Sequence, residues 1–263
     1  MSNLDYTDEF LRKRKERQKK ARKRRLIAWF IFIMFLLLAV GVVLSLTVFF
    51  PIKSLNFSGS KIYTEQQISD ACGIDLGDNL FVLSKKDTLD KLREKLPFIE
   101  TVEFKRILPD TLNVTVSDAK KYACYQLGDK YYTVSHKGWV LEETEEPEEN
   151  VFLVIADNVE CSVGKELIYK DEKTKSLIEE IVNFLNGEKI SIDYVDVSNE
   201  LNLKAGVEAR FEVEFGSENS LESKIKHLNG MIDGIEESKS GSINLSMWNS
   251  QNRQGTFVQN NTN

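Results

Sequence analysis

Two histidines and three cysteines in 263 residues leave this chain little of the usual equipment for nucleophilic or metal chemistry. His136 falls in the turn SHKG and His227 between Lys226 and Leu228, and neither stands in a Ser, Cys or carboxylate arrangement that would make it a base. Cys72, Cys124 and Cys161 are far apart; an odd number cannot close a full disulfide framework, and no CxxC or Cys/His spacing offers a metal site. GxSxG, HExxH and phosphate-loop patterns are absent, and the loop GIDLGD lacks the alternating aspartates of a calcium loop. The expectation is a protein that is not an enzyme and carries no catalytic residues, cofactor or metal. No internal repeat is visible.

Charge is missing from one long stretch. Leu26 to Phe50, LIAWFIFIMFLLLAVGVVLSLTVFF, has Ser45 and Thr47 as its only polar side chains. As a helix rising about 1.5 Å per residue it reaches roughly 37 Å, more than a hydrocarbon core of about 30 Å. Pro51 stands where such a helix should end. A cleavable signal peptide would need a shorter apolar region and a small-residue cleavage site, and VFFPIKS supplies neither. The reading is an uncleaved single-pass anchor over 26–50. Upstream, RKRKERQKKARKRR holds eleven Lys and Arg and one Glu, which fixes the N-terminus in the cytoplasm and sends the rest of the chain outward. Residues 1–25 carry a net charge of +7, leaving −13 for the other 238 residues, so the outward part is acidic and no nucleic acid is expected as its partner.

The outward chain reads as two units. In residues 51–119, LNFSG alternates and stops at Gly, Thr64 and Gln67 form a capping box, and Ser84 with Asp87 opens a helix bearing Leu89, Leu92 and Leu96 on one face. VEFKRI, the turn LPDT and LNVTV are two further strands. The order is strand, helix, helix, strand, strand: a small α+β unit. In residues 120–249, ACYQL, DKYYTV and WVLEE read as a meander, EETEEPEE as a solvated loop and VFLVIA as a buried strand. A helix runs from about Lys173 to Asn186, followed by the strands SIDYVDVS, ELNLKAG and ARFEVEFG and a second helix from Leu221 to Ile235. SGSINLSMWN reads as an edge strand, with TFVQ in residues 250–263 as its candidate pairing partner.

A tethered pair of α+β and β-rich units with open sheet edges suits partner binding by strand addition. Met247 and Trp248 are the natural anchors, large and apolar at a polar C-terminus; the alternative is that both pack on the second helix.

The chain resembles the bacterial cell-division FtsQ/DivIB family. IKSLNFSGSKIYTEQQI and GDNLFVLSKKDTLDKLREKLPFIETVEFKRILPDTLNVTV look like a POTRA domain, most specifically in PFIETVEFKRILPDTLNVTV. KGWVL, VEFGSENSLESKIKHLNGMI and SGSINLSMW resemble that family's β domain, with Asn244 where Asp is usual. The resemblance implies a non-enzymatic division protein of the membrane, enriched at the septum, that binds small bitopic coiled-coil partners of the FtsL and FtsB/DivIC types and helps control the septal wall synthase complex. Carried over, strand pairing with the FtsB/DivIC-type partner falls on Ser246, Met247 and Trp248, and on Gly255, Thr256 and Phe257. The strand Lys53 to Gly59 of the POTRA domain would recruit further division proteins. Two other readings are a POTRA-bearing translocation component, which would need a membrane β-barrel that the acidic C-terminal half does not supply, and an anchored wall enzyme.

Overall fold

The computed structural model describes residues 23, 25–41, 50–248 and 254–260. Apart from residues 23 and 25, the basic run lies outside them. Helix α1 (residues 25–41) is apolar and its side chains are exposed nearly all round. Among the described residues no helix is long and apolar enough to cross a membrane. The rest of the expected span, 42–49, lies outside the described set.

The chain divides into two compact units. One comprises Met1–Asn56, Ile74–Ser84 and Lys105–Asn113; the other comprises Phe57–Gly73, Lys85–Phe104 and Val114–Asn263.

After α1 the elements follow the expected order: β1 (Ser54–Ser58), α2 (Glu65–Cys72), α3 (Lys85–Lys95), β2 (Ile99–Ile107) and β3 (Thr111–Asp118), with the strands ordered β1-β3-β2 in one sheet. The capping box forms: Thr64 Oγ1 accepts from Gln67 N and Gln67 Oε1 accepts from Thr64 N at 2.9 Å, satisfying donors that a helix start leaves open. Gly73 closes α2 in the left-handed conformation at φ 64°, which a residue with a Cβ adopts only under strain. Ile68, Ala71 and Cys72 on α2 and Leu92 and Leu96 on the α3 side are buried; Leu89 is half-buried. Arg93 is buried too. Its Nε donates to Ile99 O at 3.2 Å and its Nη2 to Glu100 O at 2.7 Å, while its guanidinium lies 3.7 Å above the Trp139 ring.

The remainder builds a nine-stranded sheet from β4 (Lys121–Leu127), β5 (Lys130–Ser135), β6 (Val140–Thr144), β7 (Phe152–Ile155), β10 (Ile192–Asp196), β11 (Leu203–Val207), β12 (Phe211–Gly216), β13 (Gly241–Asn244) and β14 (Thr256–Gln259). Their order is β14-β13-β12-β11-β10-β7-β4-β5-β6. The apolar run VFLVIA becomes the inner strand β7, parallel to both β4 and β10. A short pair, β8 (Val159–Glu160) with β9 (Ile168–Tyr169), stands apart from it.

Two helices supply the core's other layer. Asp171 caps α4 (Glu172–Gly187) by accepting from Thr174 N at 2.7 Å, and that bond holds its carboxyl below the usual range. Leu177, Ile178, Ile181, Val182 and Leu185 recur at helical spacing and are all buried, each contributing roughly 1.5–3 kcal/mol. Helix α5 (Leu221–Asp233) buries Leu221, Ile225 and Leu228 in the same cluster as Phe211, Val213 and Phe215 of β12 and Ile243 of β13.

Lys224 on α5 is buried with its ammonium donating to Phe215 O at 2.7 Å and Ser217 O at 2.9 Å, and burial pushes its pKa below the ordinary lysine value. The side chain ties the helix to the end of β12. Lys224→Met keeps the stem but leaves those carbonyls without their donor, so we expect a loss of about 2–3 kcal/mol in denaturant unfolding.

Candidate partner-binding edge

The edge is built from the last two strands. β12 pairs in parallel with β13, bringing Glu214 opposite Asn244. At Asn244 the strand stops. Its Oδ1 accepts from Ser246 N at 3.0 Å and from Ser246 Oγ at 2.7 Å, and its Nδ2 donates to Glu214 Oε2 at 2.7 Å. A side chain that bonds two residues on bends the backbone into a turn. Ser246 and Met247 therefore lie in a turn and not in the edge strand expected from SGSINLSMWN. Strand β13 is not the edge either, because β14 covers it.

β14 pairs antiparallel with β13 in the register Gly241↔Gln259, Ser242↔Val258, Ile243↔Phe257 and Asn244↔Thr256. Asn260 N donates to Ser240 O at 2.9 Å, one step beyond. Antiparallel ladders alternate, so Val258 and Thr256 also bond inward to β13, and Phe257 and Gln259 present their N–H and C=O groups outward. No strand covers that side among the described residues.

Gly241 permits the pairing: a Cβ there would lie 2.1 Å from Val258 O, a backbone atom. Gly241→Ala forces β14 away, at a cost of about 1–3 kcal/mol. We expect the β14 amides to lose hydrogen-exchange protection while the β11 and β12 amides keep theirs.

The side chains fall on two faces. Phe257 turns inward, its ring 6.0 Å from Phe211 in an edge-on contact. Gly255 packs close to Met231 of α5 and Leu245. Trp248 is buried at 8% exposure, its ring 5.9 Å from His227 of α5. The open face carries Thr256, Val258 at 58% exposure and Met247 at 75%, around a depression of about 660 Å³ that Glu212, Glu214, Ser242 and Asn244 also line. Lys204 reaches Glu214 at 3.3 Å and Glu212 at 3.6 Å, and its bond to Glu214 raises its pKa. The face is thus apolar beside the free edge and charge-paired further in.

Of the sequence-predicted residues, Met247, Thr256 and the backbone of Phe257 border the free edge. Ser246 shapes the turn, and Gly255 and Trp248 face α5. The sequence reading passed over Val258, which supplies exposed apolar surface, and Gln259, which supplies outward backbone groups. The alternation of TFVQ carried both.

Among the described residues, His136 packs against Tyr122 with ring centroids 4.6 Å apart, and His227 against Trp248. Cys72 and Cys124 are buried and Cys161 is half-buried. Among the described residues no group of three or more His, Cys, Asp or Glu could hold a metal ion.

A family model described as "POTRA domain, FtsQ-type" matches residues 50–118. The chain is similar to the cell division protein DivIB of Clostridium botulinum strain Hall, at 25% identity over 252 residues, 93% of this chain and 94% of that protein. It is also similar to DivIB of Bacillus subtilis strain 168, at 27% identity over 142 residues, 54% of this chain and 53% of that protein. The cell division protein FtsQ of Geotalea daltonii is 25% identical over 149 residues, 57% of this chain and 54% of that protein.

Proposed function

We propose, from the FtsQ-type POTRA match and the similarity to DivIB proteins, that the chain is a bacterial cell-division protein of the FtsQ/DivIB family and acts as a non-enzymatic scaffold, anchored in the membrane by residues 26–50 with its N-terminus in the cytoplasm. It gathers at the septum, binds small bitopic coiled-coil partners of the FtsL and FtsB/DivIC types, and through them helps control the septal wall synthase complex. The FtsB/DivIC-type partner adds a strand to β14. The observation that carries this reading is the uncovered edge of β14, where the alternation of the ladder turns the backbone groups of Phe257 and Gln259 outward. Val258 and Met247 supply apolar contacts for the alternate side chains of the incoming strand. The POTRA domain serves recruitment of further division proteins.

Amide hydrogen exchange tests the register. On addition of the outward-facing segment of the FtsB/DivIC-type partner, the Phe257 and Gln259 amides gain protection and the Met247 amide does not. Binding without new protection on β14 would place the partner elsewhere and sink the strand-addition reading.

A further inference from the structure

The compact unit that contains Asn56 also contains Ile74–Ser84 and Lys105–Asn113, and these segments meet at the point where the apolar sequence ends. Leu80 N donates to Phe50 O at 3.0 Å, Ile52 N to Asp78 O at 2.8 Å, and Gly77 N to Ile52 O at 2.8 Å. The Phe50 and Phe81 rings contact edge-on with centroids 5.2 Å apart. Lys53 N and Ser54 N both donate to Asp110 O, which brings in the turn after β2, and Arg106 Nε donates to Leu80 O. Phe50, the last residue of the apolar stretch, is already part of the domain's hydrogen bonding.

The same end of the domain exposes large apolar side chains. Leu76 is 67% exposed, Val82 68% and Leu108 60%, with Phe81 and Ile107 also exposed. A soluble surface seldom gathers so many in one place without a use for them. Charge does not explain them, since Lys53, Lys105 and Arg106 are balanced by Asp75, Asp78 and Asp110. About 20 helical residues cross a hydrocarbon core, and 25 are available in 26–50, so the last ones reach the headgroup level. Segments bonded to Phe50 and Ile52 are held at that level by the covalent chain.

We propose that this end of the POTRA domain is a membrane-contact surface, with Leu76, Phe81, Val82 and Leu108 inserted among the lipid headgroups of the outer face of the membrane. This rests on reading residues 26–50 as the anchor. Insertion fixes the domain's height and tilt over the bilayer, so the anchor works as part of a rigid base and not as a loose tether. Because local charges balance, the contact is apolar and does not require anionic lipid.

The test uses the full chain in phosphatidylcholine vesicles, with Cys161→Ser and an environment-sensitive dye on Val82→Cys or, for comparison, on Leu201→Cys, which is 80% exposed on the β10–β11 connection. The dye at 82 should emit at shorter wavelength than the dye at 201. A lipid-borne nitroxide should quench it several-fold more, equally with or without phosphatidylglycerol and at high salt. Leu76→Asp with Leu108→Asp should reduce that quenching. A water-like, unquenched dye at 82 on a chain that stays with the vesicles through an alkaline wash overturns the proposal and spares the anchor. Blue emission without lipid quenching points to a second copy covering the surface and overturns it as well, as does quenching that needs anionic lipid. A chain that washes off the vesicles has no anchor, and the proposal falls with that reading.

Discussion

Gln259→Pro should abolish binding of the FtsB/DivIC-type segment and leave the protein folded. The Gln259 N–H points away from β13 in the observed register, so proline there removes no bond within the sheet. Edge strands accept proline where the missing donor faces solvent, and the extended conformation it imposes on Val258 already exists in β14. For an incoming strand the same change is severe. It deletes one ladder hydrogen bond, a loss of about 1 kcal/mol, and puts a ring where the partner backbone must approach to within about 5 Å. We expect about a fivefold weakening from the missing bond alone, and near-complete loss once the ring is counted. Val258→Pro is the contrasting variant. Its N–H bonds inward to Ser242 by the same alternation, so this variant detaches β14 and should loosen the sheet edge even without partner. Circular dichroism and calorimetric titration of both separate the two effects. Unchanged binding to a folded Gln259→Pro protein would exclude β14 as the docking strand.

That the informative position is 259 and not 247 marks a limit of the sequence. Alternation in SINLSMW satisfies every local criterion for a strand, and only the Asn244 side chain, bonding Ser246 and Glu214, converts its second half into a turn. Glu214 lies thirty residues away, so no window around Asn244 could reveal it. Elements governed by local physics were legible: the Thr64 capping box, the buried stripes of α4 and α5, and the strand, helix, helix, strand, strand order of the POTRA domain. Strand order in the large sheet was not. VFLVIA announces burial on both faces, as an inner strand flanked by parallel neighbours requires, but not which strands flank it. Buried Arg93 and Lys224 were equally hidden. Each is a charge on an amphipathic helix, and what draws it inward is carbonyl groups of other segments together with, for Arg93, the Trp139 ring. At the candidate edge the sequence named Thr256 and Phe257, which lie on β14, but not Val258 and Gln259, because which edge residues face outward depends on register.

Raising the pH above 10 should unfold the protein cooperatively, with Tyr125 as the largest single cause. Tyr125 is buried, and its hydroxyl bonds that of Tyr169 at 2.6 Å. Burial first, and then the neighbouring Tyr169 phenol, raise the Tyr125 pKa far above the ordinary value of 10.0. Burial likewise raises Tyr122 and Tyr169, and pushes the Cys161 thiol up to about 12. A phenol with a raised folded-state pKa stays protonated while its unfolded counterpart ionises. The stability it contributes is complete below pH 10 and is lost as the pH climbs toward the folded value. For Tyr125 the loss is about 1.4 kcal/mol per pH unit above 10, or roughly 2.7 kcal/mol by pH 12, a large share of a total of about 5–15 kcal/mol. Phenolate absorbance from the buried tyrosines should therefore appear together with loss of β-sheet circular dichroism and not before it. Tyr125→Phe sharpens the test by reversing sign across the pH range. Near pH 7 it leaves the Tyr169 hydroxyl without its partner and costs about 1–2 kcal/mol, but above pH 10 it removes the steepest slope, so the two stability curves cross before about pH 12. Ionisation of Tyr125 at an ordinary pKa in a protein that stays folded would contradict the burial on which this prediction rests.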